Sequence, residues 1–322
     1  VPIIALFFTE KINIKKKILY LLYISFLTIV IAIFFSPHYL ISYKEFLGSL
    51  SYESSVALGR IRVFYTRQFE GTLPIIFQFT KIFPYSLGLP ALTAFIIGFF
   101  YLPKNKINNF LRYAFLVYFI PTSFLFAKWT RFMAPVLPLM LVISYLFLLD
   151  FFSKRMKNIV FRRLVLCLII IVMLVPGFKF ISIYMGADSR IKASEWIIEN
   201  IPSGSVILSE TANVVDMPVG DLKGRNYEII SFNLYDVDDD KKLYEIFLKD
   251  LNRAEYILVP SRRVFASHSK KTYPKISKYY KELLNGKLGF KKAAEFKYLD
   301  DELAEETFSV FDHPVVRIYK KI

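Results

Sequence analysis

The sequence predicts a multi-pass α-helical membrane bundle followed by a C-terminal extracytoplasmic α/β domain with a mainly parallel sheet. Three observations predict it. Apolar runs at residues 18–36, 86–102, 110–126, 132–152 and 164–183 reach the roughly 17–20 residues that about 30 Å of hydrocarbon demands. The 322 residues are 55% hydrophobic, with mean hydropathy +0.41, and the 33 Phe and 21 Tyr match the aromatic belts of bilayer interfaces. The net charge of +15 lies wholly on residues 1–183, because from Tyr184 onward 22 Lys and Arg balance 22 Asp and Glu. The expected division is a transmembrane part at 1–183, with a long outer loop at 37–85, and an extracytoplasmic domain at 184–322.

Taken in order, residues 1–8 are apolar but too short to span, and they carry neither an initiator Met nor a basic n-region, so they are no signal peptide. They are expected to be the end of a helix that begins upstream, which makes this chain the C-terminal part of a longer protein. Basic loops then fix orientation. Lys11, Lys15, Lys16 and Lys17 precede the first long run. Lys104 and Lys106 precede the third, with Arg112 just inside it. Lys154, Arg155, Lys157, Arg162 and Arg163 precede the last. These loops alternate with the others, so the positive-inside rule makes them cytoplasmic and turns residues 37–85, 127–131 and 184–322 to the outer side of the cytoplasmic (inner) membrane.

The same distribution excludes several classes. Positive charge confined to membrane loops argues against a nucleic-acid partner and for contacts with membrane lipids. The lone Cys167 can form no intrachain disulfide. His38, His268 and His313 stand far apart with no metal-ligand spacing, so no metal is expected. No G-x-G-x-x-G or Walker loop supports nucleotide binding. Transport has little support, because Asp150, at a cytoplasmic end, is the only acidic residue in a spanning run.

The outer loop is too long for a plain connection. Residues 44–58 suit a helix lying on the membrane plane. Residues 60–65 alternate and read as extended, 69–74 as a turn, and 73–83 as a segment that re-enters or lies against the bundle. Its carboxylates Glu53 and Glu70 are candidates for a general base. The outer segments also carry cations, Lys44, Arg60, Arg62, Arg67 and Lys81 in the loop and Lys128 and Arg131 in the 127–131 turn. Headgroup snorkelling accounts for any one of them. As a set they suit an anionic lipid phosphate.

In the C-terminal domain, residues 193–200 read as a helix stopped by Ile201-Pro202-Ser203-Gly204. Residues 206–209 and 227–234 read as strands. Residues 238–254 form a helix with an acidic start, 256–259 a third strand, and 275–285 a helix ended by Gly286. Residues 291–298 and 308–319 supply the last strands. Strand–helix alternation predicts a mainly parallel sheet with crossover helices. Asp238-Asp239-Asp240 could form a metal-binding D-x-D, but at a helix start it reads as a cap.

Several stretches carry a resemblance. They are the helix from Ala193 to Pro202, the run from Tyr273-Pro274 to Tyr279-Tyr280, Leu288-Gly289-Phe290, and Glu305-Glu306-Thr307-Phe308-Ser309-Val310-Phe311-Asp312-His313-Pro314. In the membrane half, Phe83-Pro84-Tyr85-Ser86-Leu87-Gly88-Leu89-Pro90 and Lys128-Trp129-Thr130-Arg131-Phe132-Met133-Ala134-Pro135 join them. With these the chain resembles bacterial membrane glycosyltransferases of the protein O-mannosyltransferase-like superfamily, with the C-type glycosyltransferase fold. The resemblance implies transfer of a sugar from a polyprenyl-phosphate-linked donor to a protein, lipid or glycan acceptor on the outer side. It implies that the catalytic carboxylate lies in a first outer loop upstream of Val1. It gives Arg131, and after it Lys128, the donor phosphate, with Lys81 and Arg67 expected at the same interface. The chemistry fits independently, since breaking a sugar–phosphate bond leaves an anion that fixed cations stabilise. The alternative is a non-enzymatic membrane protein whose outer domain binds a partner or glycan.

Overall fold

The structure is a computed structural model that describes residue 9, residues 12–210 and residues 224–322. The helix end expected at 1–8 lies outside the described residues. The chain divides into two compact units. The first comprises residues 1–62, 73–79 and 86–173, and the second residues 63–72, 80–85 and 174–322.

In the first unit, α1 (Ile14–Phe35) begins at Asn13, whose side chain accepts from the Lys15 N–H, and buries no residue. It is apolar on all sides, the mark of a helix whose solvent is not water. Helix α2 (Tyr43–Ala57) fulfils the expectation of a helix at 44–58. Helix α3 (Leu89–Tyr101) packs on α5 (Leu137–Arg155) through small residues. There Ser144 donates to Ala91 O at 2.9 Å, and a side chain at Gly98 would meet Phe147 at 2.7 Å. Small residues allow such close approach where water supplies no driving force. Arg112 of α4 (Lys106–Ser123) donates to Phe99 O at 2.7 Å and Leu102 O at 2.5 Å, satisfying carbonyls at the end of α3.

Three of the described helices are long and apolar enough to cross a membrane: Ile14–Phe35, Thr130–Arg155 and Ile159–Met185. The last comprises α6 (Ile159–Ser182) and a closing 3-10 turn. Of the other two expected spans, one is bent and one is not among these helices. The run at 86–102 is no straight helix: Gln78–Ser86 and Leu89–Tyr101 meet at a 119° bend. At the bend Gly88 takes φ +76°, which favours glycine, and Pro90 opens α3. Thirteen residues of α3 rise about 20 Å, so it reaches the length of a span only together with Gln78–Ser86, as a broken span or a re-entrant loop. The run at 110–126 belongs to α4, whose first turns carry Lys106, Asn108, Asn109 and Arg112 and which ends at Ser123, so it is not apolar along its length. Residues 60–65 are not a strand either, since a 3-10 helix occupies Phe64–Phe69.

The second unit is an α/β/α layer structure built on α7 (Ser189–Asn200), β1 (Val206–Glu210), β2 (Glu228–Phe232), α8 (Lys241–Arg253), β3 (Tyr256–Val259), α9 (Pro274–Leu284), β4 (Phe290–Phe296) and β5 (Val316–Lys321). Successive residues face opposite layers. Ile207, Tyr256 and Leu258 pack under α7 with Val316 and Ile318. Leu208, Ile257 and Val259 pack with Phe247 and Leu251 of α8 and Ile276, Tyr280 and Leu283 of α9.

The strand order is β2-β1-β3-β5-β4. β1 is parallel to β2 and β3, whereas β5 is antiparallel to both β3 and β4, so the sheet is mixed. The expected strand at 308–319 is corrected as well: Glu306–Ser309 is a short helix and β5 starts at Val316. The direction of β5 has a physical reason. No crossover helix lies between β4 and β5, and a parallel return needs one.

The acidic triplet is divided among three tasks. Asp240 accepts from the Lys242 and Leu243 N–H groups and caps α8. Asp238 accepts from Lys275 N at 2.8 Å and Ile276 N at 3.0 Å, at the start of α9. Asp239 stands 3.6 Å from Arg67. Asp238→Ala therefore lowers stability by about 1–2 kcal/mol in denaturant unfolding. Asp239→Ala, at an exposed carboxylate, changes it by well under 1 kcal/mol. Equal effects would show that Asp238 is no cap.

Candidate functional site

In the first unit the 127–131 turn is pinned to the end of α2. Ala127 N donates to Ala57 O at 3.1 Å. Gly59, at φ +73°, lies so close to Phe126 that an added Cβ would stand 2.6 Å from the ring. Arg62 lies over the Phe126 ring at 5.7 Å. The close approach brings three cations of two segments, Arg62, Lys128 and Arg131, onto one pair of adjoining turns. Their states differ. Lys128 is buried, its ammonium donates to Phe126 O at 3.1 Å, and burial pushes its pKa down. Arg131 is exposed, at the head of the Thr130–Arg155 helix, with its guanidinium 4.2 Å above the Trp129 ring and 5.7 Å from Phe132. The buried indole gives the exposed Arg131 an aromatic platform.

Arg67 and Lys81 belong to the second unit. Arg67 is committed to the fold: it donates to Tyr235 O at 2.5 Å, approaches Asp236 at 3.7 Å and Asp239 at 3.6 Å, and lies 4.6 Å over the Tyr273 ring. The Lys81 carbonyl accepts from Glu305 N at 2.9 Å, anchoring the segment that follows β4. Glu53 is exposed on α2, in the same unit as Arg131, and Glu70 follows the 3-10 helix in the second unit.

Sequence reasoning missed a set of buried polar groups in the second unit. Arg263 and Glu306 are both buried, with Nε and Oε2 3.4 Å apart. Burial lifts the Glu306 carboxyl to about 7, against the pull of Arg263. Buried His313 shares a 2.7 Å hydrogen bond with Asp301. Arg262 folds the intervening loop by donating to Glu302 O at 2.6 Å and to Ala304 O. Apart from the adjacent pairs Arg262-Arg263 and Glu305-Glu306, nothing in local spacing marked these residues. The Glu305–Pro314 stretch stood out only as one of those that carry the resemblance. Among the described residues, no group of three or more His, Cys, Asp or Glu could hold a metal ion.

No family model, no curated protein and no solved structure matches the chain.

Proposed function

We propose that this protein is a membrane glycosyltransferase that moves a sugar from a polyprenyl-phosphate-linked donor to an acceptor hydroxyl on the outer side of the cytoplasmic membrane. The observation that carries the reading is Arg131. An exposed guanidinium on an aromatic platform, at the head of a 26-residue apolar helix, suits a phosphate carried by a lipid. In transfer, the anomeric C–O bond to the donor phosphate breaks, the acceptor oxygen bonds to that carbon, and its proton passes to a carboxylate base. Arg131 holds the departing phosphate oxygens, with Arg62 on the adjoining turn. Glu53 and Glu70 are the carboxylates of the outer loop considered for the base, while the resemblance assigns it upstream of Val1. The basic residues before α1 and between α5 and α6 support a chain that crosses the membrane more than once with residues 184–322 outside.

Two measurements test the reading. Cysteine at Ser269, an exposed position, reacts with a membrane-impermeant thiol reagent in intact spheroplasts. Labelling only after lysis would reverse the orientation. A polyprenyl phosphate bearing a diazirine crosslinks to the peptide around residues 128–133. Unlabelled polyprenyl phosphate suppresses the crosslink and uncharged polyprenol does not. Equal suppression by both lipids would remove the phosphate from the reading.

A further inference from the structure

A cavity of about 470 Å³ opens in the second unit, within the range of small-molecule sites. Every lining residue belongs to that unit. Its walls are aromatic: Tyr85, Phe180, Tyr298 and Phe308 line it, with Phe308 6.2 Å from Tyr85 and 6.5 Å from Phe180 between ring centroids. The walls are braced from behind. Phe180 stands edge-on to the His313 ring at 5.7 Å, and the Tyr298 hydroxyl donates to Ala187 O.

One residue of this lining carries a carboxylate oxygen without a hydrogen-bond partner. Asp301 is buried, with 11% of its side chain exposed. Its Oδ2 is held by His313 Nε2 at 2.7 Å, while its Oδ1 is buried without a hydrogen-bond partner. A buried carboxylate oxygen left unpaired is costly, and a ligand donor removes that cost. Asp300, the neighbouring carboxylate, is already paired with Lys297. That leaves Lys179 and Asp301 as the opposed charges of the lining, so the cavity favours a ligand without net charge. The ligand must offer hydroxyl or amide donors to Asp301, an acceptor to Lys179, and flat C–H faces to the rings.

We propose that this cavity binds a neutral saccharide ring, with Asp301 accepting from its hydroxyls, His313 positioning Asp301, and the aromatic walls covering its apolar faces. That the ring belongs to the acceptor rests on the transferase reading; that the cavity holds a saccharide does not.

The purified full chain in nanodiscs, without donor lipid, is titrated calorimetrically with methyl β-glucopyranoside, N-acetylglucosamine and cellobiose, and separately with phosphoethanolamine. At least one of the three sugars binds saturably. Asp301→Asn weakens it about 10- to 100-fold, the scale of a hydrogen bond to a charged group. Leu299→Trp, which fills the cavity from its lining, abolishes binding. Lys179→Ala, at an exposed side chain, weakens it about 3- to 10-fold and keeps the test decisive where Asp301→Asn fails to fold. His313→Asn weakens binding less than Asp301→Asn does. Three results each overturn the proposal: no sugar binding, sugar binding unchanged in Leu299→Trp, and tighter binding of phosphoethanolamine than of any sugar, which would make the cavity a lipid-headgroup site. No turnover is measured, so an inactive transferase and an empty saccharide site fail separately.

Discussion

On the proposed transferase reading, Arg131→Ala in the full-length protein is expected to lower kcat/KM for sugar transfer from the polyprenyl-phosphate-linked donor by roughly 30- to 1,000-fold, that is about 2–4 kcal/mol of transition-state stabilisation, the scale of losing one oxyanion donor. The size follows from where charge develops. In the intact donor the phosphodiester spreads one charge over its free oxygens. As the anomeric bond breaks, a second charge grows on the leaving oxygen, and a guanidinium held on the Trp129 ring answers it without reorganising. Arg131→Lys recovers only part of the loss, because an ammonium cannot donate as a planar fork and stacks less well on indole. Trp129→Leu, which removes the platform and leaves the charge, falls between wild type and Arg131→Ala. Lys157→Ala, an exposed residue of the 156–158 connection between α5 and α6, stays within twofold of wild type. Transfer is measured in membranes at matched expression. Wild-type activity in Arg131→Ala would leave headgroup snorkelling as the account of this residue.

What was legible in the sequence is what local pattern encodes. Asp240 stands just before an amphipathic repeat, so cap and helix are written within four residues, and α8 begins there. Tyr256–Val259 is a short apolar run, and it became the strand buried on both faces at the sheet centre. The apolar runs gave α1 and α6 almost to their ends. What was not legible depends on long-range pairing. Strand direction leaves no mark in side-chain alternation, so the reversal of β5 could be seen only in the lack of a crossover helix after β4. The bend at Gly88 was hidden because Leu89 to Tyr101 is apolar whether the helix spans or turns. Arg67 read as a free outer cation because its partners, Tyr235, Asp236 and Asp239, lie about 170 residues away. The cavity is drawn from three segments around residues 84, 180 and 300, and its unpaired Asp301 oxygen exists only once they meet.

Glu306→Gln removes a pH dependence of stability that runs opposite to the usual carboxylate behaviour. Burial raises the Glu306 carboxyl from 4.5 to about 7, Glu305 beside it pushes the same way, and Arg263, Arg262 and a hydrogen bond from Gln68 pull back without prevailing. The folded state therefore holds the proton more tightly than the unfolded chain. Stability from this group is complete below about pH 4.5 and is lost as pH rises through about 7. The span corresponds to about 3 kcal/mol, as an upper figure for a group 4% exposed. His268 acts in the other direction. Burial lowers its pKa below 6.5, so its contribution is present above pH 6.5 and fades as pH falls through the folded value. The wild-type curve sums the two, and only the difference between wild type and Glu306→Gln isolates the carboxyl. In denaturant unfolding of the detergent-solubilised protein, glutamine is close to neutral at pH 4.5. It gains on wild type from pH 5 to about pH 7, and the difference levels off by pH 8, as the native carboxyl is forced to ionise beside its buried neighbours. A difference that stays constant across that range would mean Glu306 is ionised in the fold throughout, stabilised by Arg263 as a buried ion pair.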